Sequence, residues 1–390
     1  MIVASTSDGW QAVTGKNGRI PVTQTAATDH DATWLRSARS RLLRWYRAHA
    51  RDLPWRRTRD PYHVWLSEIM LQQTQVATVI PYFERFLAAL PTITALAAAP
   101  EEQVLRLWEG LGYYRRARQL HSAAKHVVEQ HGGRFPIAFE AVIDLPGIGR
   151  YTAGAILSIA FDVPAPILEA NTVRLYSRLW RFGGDPTSRA GQTLLWGAAE
   201  ALLPRRGAGE INQALMELGS QVCLPRGPLC AECPLAALCP TRAAGLQDQI
   251  PRAKSKPRAT RVRHLLLAVV RRNQFLLRKG RDGDRWAGLW DFPRFELEDG
   301  QPVTSATLLN AISGDLGAPI AIGEQLASWR HTVTRYRIEL DCHAAHITSR
   351  EHCGPASHEQ RWFTLEEIAE LPLNTTGRKL YRLLAERGGR

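Results

Sequence analysis

Four cysteines fall within seventeen residues: Cys223, Cys230, Cys233 and Cys239, spaced C-x6-C-x2-C-x5-C. Pro225, Gly227, Pro228 and Pro234 lie among them, so the segment reads as a loop that wraps one centre. Thiolates at that density select zinc or an iron–sulfur cluster, and the spacing alone fits either. Cys342 and Cys353 lie far away. A second group lies upstream, in Leu145-Pro-Gly147-Ile-Gly149-Arg-Tyr151-Thr-Ala. Two glycines two apart permit a tight turn with exposed backbone N–H groups, and the residues after them start a helix. N–H groups at a helix start can grip a phosphate without reading sequence.

Charge points the same way. The 390 residues carry a net charge of +13, and cations that neutralise phosphates release counterions. No apolar run reaches the roughly 20 residues that span a bilayer, so no membrane is expected. Residues 1–32 lack the basic and apolar regions of a signal peptide and read as a disordered leader. A cytoplasmic, nucleoid-associated location follows. There cysteines bind metals more often than they pair.

The elements that must position these groups change character along the chain. Trp65, Ile69, Val76 and Ile80 recur at helical spacing, as do Val104, Leu107, Trp108 and Leu111. Residues 33–245 are therefore expected to be all-α. A basic stretch with prolines, 246–262, reads as a linker. Beyond it, His264–Val270, Gln274–Leu277 and Arg335–Leu340 have the texture of strands. The expectation is an α+β multidomain chain with a second domain over 263–390.

Longer motifs then identify a family. Leu53-Pro-Trp55-Arg56, the run Val64-Trp-Leu-Ser-Glu68-Ile-Met-Leu-Gln72-Gln73-Thr-Gln, Leu111-Gly-Tyr113-Tyr-Arg-Arg and the Gly147/Gly149 turn together resemble the MutY family of adenine DNA glycosylases. That family belongs to the helix-hairpin-helix, iron–sulfur superfamily, and the match covers roughly 33–245. The resemblance implies a 4Fe–4S cluster on Cys223, Cys230, Cys233 and Cys239, and a hairpin at Gly147 and Gly149 that holds the DNA backbone. It implies base flipping, with Gln73 and Tyr113 filling the gap and Gln72 beside them, and an adenine pocket touched by Arg56 and Gln213.

The chemistry accounts for the residue types. Releasing adenine needs an acid to protonate the base and an anion beside a sugar that becomes oxocarbenium-like, the two-carboxylate logic of glycoside hydrolysis. By resemblance Glu68 is the acid, Glu169 the anion, and Tyr151 and Asn171 complete the catalytic set. Tyr151 stands where strand-cleaving relatives carry a Schiff-base lysine, which implies a monofunctional enzyme.

The second domain resembles the family's Nudix-like 8-oxoguanine recognition domain through Trp286-Ala-Gly-Leu-Trp-Asp-Phe-Pro293. Of a magnesium-binding carboxylate set, Leu308–Gly317 keeps only Asp315, so the domain is expected to bind and not to cut. The implied partner is double-stranded DNA with A:8-oxoguanine or A:G mispairs, met by a monomer. Two departures stand out. Glu169-Ala170-Asn171 replaces the family's Asp-Gly-Asn. Val333-Thr334-Arg335 replaces its Phe-Ser-His loop and keeps only the Thr334 hydroxyl. The Glu169 substitution keeps open a weakly catalytic damage binder; a glycosylase for another base, such as thymine, is the rival enzyme, against which Glu68 argues.

Overall fold

The computed structural model describes residues 29–252, 259–298, 300–333, 335–349 and 359–388. The leader up to residue 28, linker residues 253–258, Thr334 and Cys353 lie outside the described residues.

In chain order the helices are α1 (Ala32–His49), α2 (Pro61–Leu71), α3 (Val76–Ala89), α4 (Ile93–Ala98), α5 (Glu101–Trp108) and α6 (Arg115–His131). Then come α7 (Phe139–Ile143), α8 (Arg150–Phe161), α9 (Ala170–Leu179), α10 (Arg189–Leu202), α11 (Ala208–Gln221) and α12 (Pro240–Ala243). Strands follow: β1 (Thr260–Arg271), β2 (Gln274–Lys279), β3 (Trp290–Asp291) and β4 (Arg294–Leu297). Helix α13 (Ala306–Leu316) precedes β5 (Ile320–Val333), β6 (Tyr336–Ile347) and β7 (Gln360–Phe363), and α14 (Leu365–Glu370) and α15 (Thr375–Gly388) complete the described chain. The helical half and the α+β second half are as expected.

The chain packs as two compact units. One holds residues up to Arg51 together with 157–254, and the other holds 52–156 together with 255–390. In the first, α1, α9, α10 and α11 close around Leu42, Tyr176, Leu195, Leu215 and Leu218, all 2% exposed or less. The Asp31 carboxylate caps α1 by accepting from Trp34 N at 2.7 Å, satisfying a donor that a helix start leaves unpaired. Glu217 is fully buried in this unit, and the Arg51 guanidinium grips both its oxygens at 2.7 Å.

In the second unit α2 is the central helix. Asp60 caps it, Pro61 opens it, and Tyr62 and every residue from Val64 to Met70 are buried. A helix with no polar face belongs inside a core; α3 and α6 cover it. The same unit carries a seven-stranded mixed sheet in the order β3-β2-β1-β6-β5, with β4 also on β1 and β7 on β2. β1 and β6 run parallel from Thr260/Tyr336 to Val270/His346. The β1–β2 hairpin turns on Arg272 and Asn273, both with positive φ, as the strand twist favours for a two-residue loop. Helix α13 covers one face through Leu308, Ile312 and Leu316, and α15 helps cover the other through Leu380. Within this unit Glu109, just after α5, takes a bidentate grip from Arg378 of α15 at 2.7 and 3.0 Å. Lys279 donates to Glu102 at 2.9 Å, and Arg118 pairs with Asp282.

Candidate active site

Glu68 lies in the last turns of α2 and is 6% exposed. The Tyr151 hydroxyl, from the first turn of α8, donates to Glu68 Oε2 at 2.6 Å. These two residues, both expected at the site from sequence and 83 positions apart, are therefore in direct contact. The neighbouring α2 residues Leu66, Ile69 and Met70 are all 4% exposed or less.

In the turn before α8 the two glycines differ. Gly147 takes φ +78°, and a Cβ there would lie 2.7 Å from Gln119 Cβ. Glycine is required at that position twice over. Gly149 needs no special φ, and a Cβ there would meet nothing within 4 Å, so its backbone faces open space. The N–H groups of a first helical turn point outward from such a turn.

Gln73 and Tyr113 share an unusual backbone. Both have positive φ, +57° and +48°, a region non-glycine residues seldom adopt. Both are exposed, Tyr113 by 48%. A residue that sequence reasoning missed holds their two loops. Arg116, 8% exposed, donates from Nη1 to the carbonyls of Ile69 at 2.8 Å and Met70 at 2.9 Å, and also to that of Gln72. Its Nη2 reaches Thr74 Oγ1 at 3.2 Å and the carbonyls of Leu111 and Gly112 at 3.4 and 3.3 Å. The guanidinium thus caps the end of α2 and ties it to the Leu111–Tyr113 turn. Burial pulls its pKa down to about 10, which leaves it charged at neutral pH. In the sequence it falls within the Leu111-Gly-Tyr113-Tyr-Arg-Arg motif, as one arginine of three in Arg115-Arg116-Ala-Arg118, and the motif assigns it no role.

Arg56 ends a short 3-10 turn whose Trp55 packs edge-to-face on Phe83. Gln72 is the C-cap of α2. In the second domain Val333 pairs with Tyr336 at the end of the β5–β6 pairing. Thr334 lies outside the described residues. Asp315, the remaining carboxylate of α13, is held by Arg278 at 2.6 Å.

The other unit holds Glu169, Asn171, Gln213 and the cysteines. Glu169 is the N-cap of α9: Oε2 accepts from Asn171 N at 2.8 Å and Oε1 from Thr172 N at 2.9 Å. The Thr172 hydroxyl accepts in return from Glu169 N, completing a capping box. Burial lifts this carboxyl above its usual range, while the two N–H groups and Arg174 pull against that. Asn171 Oδ1 accepts from Arg174 Nη2 at 2.9 Å. A Cβ on Gly219 would lie 2.9 Å from Asn171 Cβ, so glycine lets α11 approach α9. Gln213 accepts a long 3.4 Å bond from the Tyr46 hydroxyl.

Cys223, Cys230, Cys233 and Cys239 all line one cavity with Leu175, Leu179 and Arg178. Among the described residues none of the four is in a disulfide. Arg178 Nη1 donates to Cys223 Sγ at 3.2 Å, and Arg242 adds a second cation to the wall. Burial pushes the Cys233 thiol up to about 12 and raises Cys239 as well. Four thiols on one cavity with arginines turned on them suit a centre that needs thiolates and can compensate their charge. Among the described residues no three Cys, His, Asp or Glu side chains converge on a single-ion site. Also among them, no helix is long and apolar enough to cross a membrane.

Residues 66–200 match the model of the HhH-GPD superfamily of base excision DNA repair proteins, and residues 264–383 match a NUDIX domain. An adenine DNA glycosylase of Mus musculus is 34% identical over 90% of this chain and 79% of its own length. One from Buchnera aphidicola is 38% identical over 66% of this chain and 74% of its own. Among solved structures, a thermostable thymine-DNA glycosylase is 31% identical, with a TM-score of 0.51 over 55% of this chain and all of its own.

Proposed function

Because this chain belongs to the adenine DNA glycosylase family, we propose that it is a base excision repair enzyme that hydrolyses the N-glycosidic bond of adenine in double-stranded DNA. The preferred substrates are adenines opposite 8-oxoguanine or guanine. The observation that carries this reading is the Tyr151 hydroxyl on the buried Glu68 carboxyl at 2.6 Å. It fixes the carboxyl of a buried helix residue in one orientation, as a general acid requires.

In the proposed reaction the adenine leaves the stack, and Gln73 and Tyr113 occupy the gap. Arg56 and Gln213 hold the base. Glu68 gives its proton to a ring nitrogen, and the bond from that ring to C1′ breaks with both electrons leaving on the base. The carboxylate of Glu169, with Asn171, stabilises positive charge on the sugar. Water adds to C1′, its proton returns to Glu68, and free adenine and an abasic site result. Tyr151 offers no amine, so the strand stays intact. Backbone N–H groups around Gly147 and Gly149 hold phosphate, and the second domain, with the Val333-Thr334-Arg335 segment, reads the opposite base. The enzyme acts as a monomer.

Cys223, Cys230, Cys233 and Cys239 would hold a 4Fe–4S cluster, which supplies structural cross-linking of the loop when bound. Protein purified without air should be brown and contain about four irons per chain; zinc in place of iron overturns this assignment.

The functional test is single-turnover base release from A:8-oxoguanine, A:G and T:G duplexes, with borohydride trapping alongside. Adenine release from the first two, alkali-dependent nicks and no trapped adduct are expected. Preferential thymine release would favour a thymine glycosylase instead, which the likeness to the thymine-DNA glycosylase supports. A borohydride-trapped adduct would show a strand-cleaving amine.

A further inference from the structure

The loop between α5 and α6 carries Tyr113, and its backbone is unusual at several positions. Gly110, Gly112 and Tyr113 all take a positive φ, at +100°, +71° and +48°. Glycine adopts that region freely, but a tyrosine holds it only where its surroundings impose it. Arg116 supplies one support, through the carbonyls of Leu111 and Gly112. The proposed reaction uses Tyr113 and assigns nothing to the residues at the two ends of this loop, Glu109 and Tyr114.

Both ends are fastened to one residue of the second domain. Tyr114 is 6% exposed, and its hydroxyl accepts from Gly110 N at 3.2 Å and donates to the carbonyl of Leu373 at 3.3 Å. Burial raises the Tyr114 pKa to about 12, so the hydroxyl keeps the proton that Leu373 accepts. Leu373 N in turn donates to Glu109 Oε2 at 3.3 Å. Arg378 closes on the same carboxylate and also donates from Nη2 to the Leu371 carbonyl at 2.7 Å. The Glu109 carbonyl is held from the helical side, by the Tyr82 hydroxyl at 2.8 Å. Leu373 lies in the short segment that joins α14 to α15. A hydroxyl can donate once and still accept, so Tyr114 alone links the start of its own loop to that segment.

We propose that Tyr114 and Glu109 are positioning residues that pin the Tyr113 loop to Leu373, so that the second domain sets how readily Tyr113 enters the gap left by a flipped base. The proposal rests on the reading of Tyr113 as the residue that fills that gap. Breaking the pin lets the loop relax toward commoner φ values. A loop that is competent only part of the time weakens its own action by that fraction. Tyr114 is buried, so it acts through its neighbour and not by touching the base.

Tyr114→Phe in the full chain removes the hydroxyl and keeps the ring, so the fold should survive. Amide hydrogen exchange should rise by about tenfold, the scale of one hydrogen bond lost, in residues 110–113 and 371–374 together, with α2 unchanged. Single-turnover release of adenine opposite guanine, and the fluorescence gain of 2-aminopurine placed at the adenine, should each fall by about tenfold, while affinity for an undamaged duplex holds. In a Tyr113→Ala background the same change should alter release by less than about twofold, because both variants remove one function. Glu109→Gln, which leaves one acceptor for two donors, should give the same signature from the other end of the loop. Faster exchange confined to residues 110–113 would show that Leu373 is not attached and would overturn the pin. Losses that multiply in the double variant would make Tyr114 merely structural. Normal release by Tyr114→Phe, with Tyr113→Ala impaired, removes the proposal alone. Normal release by Tyr113→Ala removes the gap-filling reading and the proposal with it.

Discussion

Glu68 and Glu169 are both largely buried glutamates, yet different chemistry holds them. Glu68 sits inside an apolar helix and accepts from a side-chain hydroxyl. Glu169 stands at a helix start and spends each oxygen on a backbone N–H. A hydroxyl can rotate and follow a proton; backbone N–H groups are fixed dipoles that favour the anion. In the proposed reaction this contrast matches the roles, an acid that must give up a proton and a carboxylate whose two N–H donors offset part of the burial that raises its pKa. It also means that Glu169 carries a capping duty at the start of α9.

The largest expected effect separates those duties. Glu68→Gln keeps the shape and can still accept from Tyr151. It should cut single-turnover adenine release by at least about 100-fold, the low end for general acid catalysis, with an almost unchanged unfolding midpoint. A variant that keeps its activity would place the acid elsewhere and erase the contrast.

A smaller effect concerns what keeps the Glu68 helix in register with the exposed loops. Arg116→Lys keeps the charge but cannot span carbonyls on both α2 and the Leu111–Tyr113 turn. Adenine release should fall by about tenfold, short of the ~100-fold that a full 1 Å misplacement can cost. A fluorescent adenine analogue should report less flipping, while the single-turnover rate stays dependent on Glu68. Unchanged flipping with reduced stability would make Arg116 merely structural.

The smallest effect is thermodynamic. Glu169→Gln leaves one carbonyl oxygen for two N–H groups and should cost about 1 kcal/mol, the usual worth of a cap. Glu169→Asp, a preferred cap type, should cost less. Burial raises the Glu169 carboxyl above its ordinary 4.5, so the folded state binds this proton more tightly than the unfolded chain. The stability that this group contributes is full below pH 4.5 and is lost as pH rises through the raised value. Denaturant midpoints across that window should lose this slope in Glu169→Gln. A slope that survives belongs to another group.

Much of the fold and site is legible in the sequence alone. The cysteine spacing, the Gly147 turn and the Glu68 signature are local patterns, and each lies on the element expected of it. Arg116 lies within a quoted motif, but its role is not legible, because its worth comes from carbonyls up to 47 residues away. The capping role of Glu169 is half legible: an acceptor before Ala-Asn-Thr fits a helix start, though glutamate is seldom the cap. The grouping of 52–156 with 255–390 rests on pairs such as Glu109–Arg378, 269 residues apart, and no window along the chain contains it.

That last pair has a consequence for how the protein can be edited. Arg378 and Glu109 are each about one-tenth exposed, and Tyr113 follows Glu109 by four residues. The C-terminal part is therefore not a detachable accessory: trimming it strands a buried anion beside the Tyr113 turn. Parts exchanged between relatives at this boundary would need to carry both halves of the pair, as a key travels with its lock.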